Sequence, residues 1–441
     1  YSKRAEAFLP DYWPTYYTKT KDCFVWDKDR NKYIDMIFAV GTNVLGYNNS
    51  KLEKDVIKAV KKGNMSTLNS YEEVQLTEEL LKIDKWAGMV KYARTGAEAN
   101  SIAIRIAKSY QKYKPNIAAC GYHGWHDWYL SSNLSNRNNL NYHLTKNVKT
   151  AGVNEKLKNT TFLFRYNDIE RLEYLLKNKK IGIIKMEVER NIKPDLKFLR
   201  KVRNLSNRYN AVLIFDECTS GFRENLGGIF HKYKIFPDLV TYGKALGNGH
   251  AITAVVGRKK FLKSAEDTFV SSTFWSERIG FVAALSTIKI MKKKKIFLNI
   301  KKTGRDIKSK WLLYAKKNNI QIEVFGKDSI PQFKFKKSNQ IYKTYFTQQM
   351  LKRKILASNI IGKTLAKDKY ATINGKQELI ASKGTVITTE IRNHLVSYLG
   401  SSAQLEVKES TVASQGQTVT ADPDLINEIL HPLVLILFQH M

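Results

Sequence analysis

The sequence predicts an α/β protein built on a mostly parallel sheet with helices on both faces. Short apolar runs of strand character recur at Asn116–Cys120, Thr161–Phe164, Ile181–Glu187, Ala211–Asp216, Leu239–Tyr242 and Ala251–Val256. Amphipathic segments fall between them, for example Asp168–Lys177 and Leu196–Tyr209, and this alternation is that of βαβ units. Some runs are apolar throughout rather than alternating, as strands buried on both faces are; Ala211-Val212-Leu213-Ile214-Phe215 is the clearest. At 441 residues the chain exceeds one ordinary core, so two or more domains are expected.

Taken in order, residues 1–20 are aromatic and irregular. Cys23–Asp27 and Tyr33–Met36, joined by the polar turn Asp27–Asn31, read as a hairpin. Gly41–Tyr47 lead into a helix over about Lys51–Lys62, and a second covers about Glu72–Leu81. Ile102, Ala103, Ile106, Tyr110 and Tyr113 recur at helical spacing after Arg94–Asn100. Residues 130–160 are polar and read as a loop. After Thr273 a long helix from about Trp275 and a lysine-rich helix through about Lys317 follow. Strands near Ile320–Phe325 and Gln332–Phe335 and a helix near Tyr342–Arg353 come next.

The chemistry centres on Asp238–His250. Here a short strand turns on Gly243, carries Lys244 at its end, and runs on to Gly247 and Gly249. A lysine desolvated at the end of a buried strand offers a nucleophilic amine. Such amines form Schiff bases with carbonyl compounds, pyridoxal phosphate among them; a surface-loop lysine between glycines is the plain alternative. Asp216 ends the strand Ala211–Asp216, where α/β sheets bind ligands. It is placed to pair with a cation such as a pyridinium nitrogen, or to cap a helix. Thr95-Gly96-Ala97 opens a helix and presents free N–H groups to a phosphate, unless Thr95 is an ordinary N-cap. Tyr122 lies in a glycine-flanked turn after a strand, where an aromatic can cover a flat ring. His123, His126 and Asp127 lack the further ligands of a usual metal set, and no metal is expected.

With these motifs in hand, the chain resembles the class III pyridoxal-phosphate aminotransferases, close to the glutamate-1-semialdehyde aminomutase branch. The likeness covers about residues 10–359. It rests on Arg94–Asn100, Gly121–Trp128, Tyr166-Asn167-Asp168, Glu187–Asn191, Phe215–Arg223, Thr241–Gly249 and Ser271-Ser272-Thr273, in the family's order. The resemblance implies the type I fold of pyridoxal-phosphate transferases. It implies a small domain from residues 1–60 and 301–359, a large cofactor-binding domain over 61–300, and an atypical tail over 360–441. It implies Lys244 as the Schiff-base lysine, Asp216 at the pyridine nitrogen, and Gly96 and Ala97, with Thr95, at the phosphate. Tyr122 would stack on the ring, followed by His123, with Cys218 on the opposite face. Glu187 falls where the family has an active-site glutamate. Thr273 resembles the threonine that reaches the phosphate of a neighbouring subunit, so a homodimer is implied.

The activity implied is transfer of an amino group from a small-molecule donor to an aldehyde or ketone acceptor. It would pass through a Lys244 aldimine and a pyridoxamine phosphate intermediate. An aminomutase is the alternative. Against it, Leu9–Pro14 has no arginine where the aminomutase carries a substrate-holding one. A third reading is a cofactor-binding protein impaired by its altered ending.

Lys and Arg total 74 against 40 Asp and Glu, a net charge of +34 that draws anions. The lysines are spread along the chain with no nucleic-acid motif, so compositional bias explains them better than a nucleic-acid partner. Cys23, Cys120 and Cys218 form no disulfide framework, which points to a reducing cytoplasm. The apolar run Leu433–Phe438 is too short to span a bilayer. Tyr1 in place of Met reads as a fragment. Residues 360–441 resemble part of a bacterial RNA polymerase β subunit, or else form a divergent tail. Loss of the family's final strand and helix would leave apolar surface unpaired.

Overall fold

The computed structural model describes residues 13–143, 148–336, 339–357, 369–373 and 376–381. The chain forms two compact units. One comprises Phe38–Lys308 with Phe325–Gln332; the other comprises the described residues of Tyr1–Ile37, Ser309–Val324 and Phe333–Met441.

The larger unit is built on a seven-stranded sheet. Its strands are β1 (Met89–Ala93), β2 (Asn116–Cys120), β3 (Thr161–Leu163), β4 (Ile181–Glu187), β5 (Val212–Asp216), β6 (Leu239–Tyr242) and β7 (Thr253–Gly257), in spatial order β1-β7-β6-β5-β4-β2-β3. β7 is antiparallel to β1 and β6; the remaining pairs are parallel. The continuous apolar runs are explained by cover on both faces. Leu213 and Phe215 pack with Leu76, Leu80 and Leu172 on one side. Val212 and Ile214 pack with Ala99, Ile102, Ile106 and Phe261 on the other. The helix Gly96–Tyr110 therefore covers the second face, and it brings Asn100 to the carboxyl ends of the strands.

Several local readings needed correction. β1 was not anticipated: Lys91 interrupts its apolar pattern, and it pairs at the edge of the sheet with β7 alone. Residues 130–160 are not simply a loop. Short helical turns lie at Ser131–Asn133, Asn139–Tyr142 and Glu155–Leu157, knitted by amides such as Asn133 Oδ1, which accepts the Leu140 N–H at 2.8 Å. Residues 38–60 lie in the larger unit rather than with the small domain, because the helix Ser50–Lys61 buries Leu52 and Val56 against Ala283 of the helix Arg278–Lys294.

In the smaller unit the expected hairpin is present as Phe24–Asp27 and Lys32–Asp35. Asp27 closes its turn by accepting Asn31 N–H at 2.8 Å and the Tyr33 hydroxyl at 2.9 Å. An unanticipated strand, Tyr17–Lys21, pairs on one side, and Ile355–Leu356 pairs parallel to Ile34–Asp35 on the other. The strands Lys369–Ile373 and Lys376–Ala381 form an antiparallel pair. The rest of the expected atypical tail lies outside the described residues.

Candidate active site

The carboxyl ends of β2, β4, β5 and β6 meet the start of the helix Gly96–Tyr110. Asp216, the last residue of β5, is 3% exposed. Its Oδ2 accepts from Asn100 Nδ2 at 2.7 Å and faces His123 Nδ1 at 2.9 Å. Its Oδ1 accepts the Cys218 N–H at 3.1 Å. Burial alone would raise its pKa. The nearby Lys185 charge, His123 and the Cys218 N–H outweigh that and hold the carboxyl well below its ordinary range. The other ring nitrogen of His123 faces the Cys120 carbonyl at 3.1 Å, so the imidazole is locked behind Asp216.

Lys244 follows β6 and Gly243 in the left-handed region, at φ 44°. A non-glycine residue held there is strained, a condition common at functional sites. Its Nζ donates to Thr219 Oγ1 at 2.8 Å. Burial pushes the ammonium below its ordinary pKa; Cys218, Glu187 and Asp216 oppose the shift, and Arg223 adds to it. Arg223 Nε holds the Thr219 carbonyl at 2.8 Å, so Thr219 is fixed on both sides.

The helix start is a full capping box. Thr95 Oγ1 accepts the Glu98 N–H at 3.2 Å, and Glu98 Oε2 accepts the Thr95 N–H at 2.7 Å. Gly96 and Ala97 N–H are left without an acceptor among the described residues. The side chain of Thr95 thus serves the cap, while the two N–H groups after it are free for an anion.

Glu187 ends β4 and accepts the Tyr122 N–H at 2.9 Å and Arg190 Nη1 at 3.0 Å. Gly121 makes this approach possible: at φ 100°, a Cβ there would stand 2.7 Å from Glu187 Oε2. The Arg190 guanidinium lies 5.1 Å from the centre of the Tyr122 ring. Cys218 is buried beside Gly96 and Gly243.

The expected site residues Thr95, Gly96, Tyr122, His123, Glu187, Asp216, Cys218 and Lys244 thus gather in one region, with Ala97 next to Gly96 on the helix. Thr273 is exposed on a short turn whose carbonyls at Phe274 and Trp275 are held by Arg94. Sequence reading gave no role to Lys185 and His143, and it quoted Asn100, Thr219 and Thr241 within motifs without a role. His126 stacks on Trp125, and no group of three metal-ligating side chains forms among the described residues.

The sequence pattern of the family described as "Aminotransferase class-III" matches residues 9–359. The chain belongs to the class-III aminotransferases. It is similar to the 3-aminobutyryl-CoA aminotransferase of Cloacimonas acidaminovorans, with 33% identity over 78% of this chain and 83% of the relative. It is 29% identical to the glutamate-1-semialdehyde 2,1-aminomutase of Sulfurisphaera tokodaii, over 73% of this chain and 77% of that one. Among solved structures it resembles the PLP internal aldimine form of the FumI protein from Sphingopyxis sp. MTA144. There the TM-score is 0.72 at 23% identity, covering 81% of this chain and 85% of that chain.

As a class-III aminotransferase the protein is an enzyme that uses pyridoxal 5'-phosphate to move an amino group between small molecules. The residues in place fit that cofactor. An anionic carboxylate, a desolvated lysine and two free N–H groups at a helix start offer partners for a ring nitrogen, an aldehyde and a phosphate respectively.

Proposed function

We propose that this aminotransferase moves an amino group from a separate donor to an aldehyde or ketone acceptor, with Lys244 as the residue that carries the cofactor and moves the proton. The observation that carries the reading is the desolvated Lys244 amine, held at 2.8 Å by Thr219 in the region that contains the anionic Asp216. Bound pyridoxal phosphate supplies an electron sink for the pair left when a C–H bond of the donor breaks. Lys244 Nζ takes that proton and returns it, because burial keeps a larger share of the amine neutral than in water. Asp216 would hold a fixed negative charge toward the ring nitrogen. Gly96 and Ala97 N–H would receive the phosphate, and Tyr122 and Cys218 would flank the ring.

A homodimer is part of the reading. Thr273 is exposed, and Phe269 and Phe274 beside it are 87% and 64% exposed. A second copy would cover this edge and receive Thr273 at its phosphate. The expected home is the cytoplasm, in keeping with the free cysteines; no helix among the described residues is long and apolar enough to cross a membrane.

A panel of amino donors, read by the ultraviolet and visible spectrum of the cofactor-loaded protein, tests the reading. Turnover that requires a separate donor supports it. Similarity to the semialdehyde aminomutase favours a second reading, in which the amino group moves within one substrate. Turnover of a lone amino-aldehyde without any donor would select that one.

A further inference from the structure

We infer that Lys185 is a positioning residue: through Asn100 and Thr241 it fixes the orientation of the Asp216 carboxylate. The inference deepens the proposed reading, because it rests on Asp216 facing the cofactor's ring nitrogen.

Lys185 lies in the middle of β4, and its side chain is fully buried. Ile184 and Met186, its neighbours along the strand, pack on the opposite face. The amine therefore emerges on the face covered by the helix Gly96–Tyr110. There Nζ donates to Asn100 Oδ1 at 2.6 Å and to Thr241 Oγ1 at 3.3 Å. No carboxylate forms a direct ion pair with it among the described residues. Burial pushes this amine below its ordinary pKa; a buried polar head is costly, and an apolar residue of similar length would fill the same space at less cost.

The geometry shows what the amine does. A carboxamide has one accepting end and one donating end. With Oδ1 of Asn100 held by Lys185 and by the Thr241 hydroxyl at 2.8 Å, Nδ2 must face Asp216. Turned the other way, the amide would set one acceptor against another. Thr241, fixed by the same amine, lies 3.4 Å from Asp216 Oδ1. Lys185 is also among the groups that hold the buried Asp216 carboxyl below its ordinary range. The titratable groups around Asp216 include Lys185 and Glu187 of β4, Tyr122 and His123 after β2, Tyr166, Cys218 on its own segment and Lys244 after β6. Those around Lys185 are Asp216, Cys218 and Glu187. Lys185 Nζ thus reaches across β5 to Thr241 of β6, and no step of the proposed reaction uses it otherwise.

The test is cofactor binding at neutral pH to the protein freed of pyridoxal phosphate, followed by quenching of tryptophan fluorescence. Lys185→Met should weaken binding about tenfold, the worth of one hydrogen bond to a charged group, while the melting temperature of the cofactor-free protein is kept, because an apolar chain fills the same space. Lys185→Gln retains a donor for Asn100 Oδ1 and should restore binding to near the parental value. If Lys185→Met does not fold, Asn100→Leu, which removes the link between Lys185 and Asp216, carries the test and should weaken binding by at least as much. Parental binding in the Met or Leu variant, or an equal loss in Lys185→Gln and Lys185→Met, would overturn the inference. Asp216→Asn is the control: if it binds with the parental affinity, the placing of Asp216 at the ring nitrogen fails, whatever Lys185 does.

Discussion

His143 Nδ1 accepts the N–H of Gly121 at 3.1 Å, and so props the turn that carries Tyr122. That bond requires an unprotonated nitrogen. Burial first, then the charges of His123, Arg165 and Arg190, push His143 from 6.5 down to about 4. Between those values the unfolded chain binds a proton that the folded chain refuses, so stability falls as pH drops through this window and levels off below it. The whole effect is about 3 kcal/mol. His143→Asn offers an amide oxygen to Gly121 and does not titrate. Urea midpoints measured from pH 7.5 down to pH 4 should therefore fall less steeply in that variant. Parallel curves would count against the role of His143.

Thr219 holds the Lys244 amine in place. Thr219→Val keeps the shape and removes the acceptor. The net value of such a bond is about 1 kcal/mol, so kcat should fall by up to about tenfold with little change in melting temperature. An unchanged kcat would show that the amine finds its position without Thr219.

Tyr242 directly precedes Gly243 and Lys244, and its hydroxyl donates to Asp84 Oδ2 at 2.8 Å. The other oxygen of Asp84, a fully buried residue, meets Trp86 Nε1 at 3.0 Å and His231 Nε2 at 2.7 Å. Tyr242→Phe leaves one side of a buried carboxylate without its donor, at a cost of about 1–3 kcal/mol. Chemical denaturation should show that loss while cofactor binding persists. A neutral substitution would mean that water replaces the hydroxyl.

Much of this was legible in the chain itself. Strands buried on both faces announce themselves as apolar runs; β5, unbroken over Val212–Phe215, and β6, interrupted only by Thr241, were readable for that reason. Asp216 and Lys244 stand at the ends of those runs, where the topology of an α/β sheet places ligand contacts. Lys185 was not legible, because one charged residue inside an apolar strand looks like an outward-facing position. Its partners, Asn100 and Thr241, come from elements 85 and 56 residues away. β1 was hidden in the same way by Lys91. His143 was lost in an asparagine-rich stretch whose folding depends on side-chain amides rather than on any apolar period. Thr273 could be placed only by resemblance, since it is exposed on a short turn among the described residues.

The most direct test of the account is the absorbance spectrum of the protein with added pyridoxal phosphate, compared with that of Lys244→Ala. The parent should show a visible band that moves toward the ultraviolet when an amino donor is added. Lys244→Ala should lose both the band and turnover, because no other described residue holds a desolvated amine beside Thr219. Survival of the band and of turnover in Lys244→Ala would contradict the account.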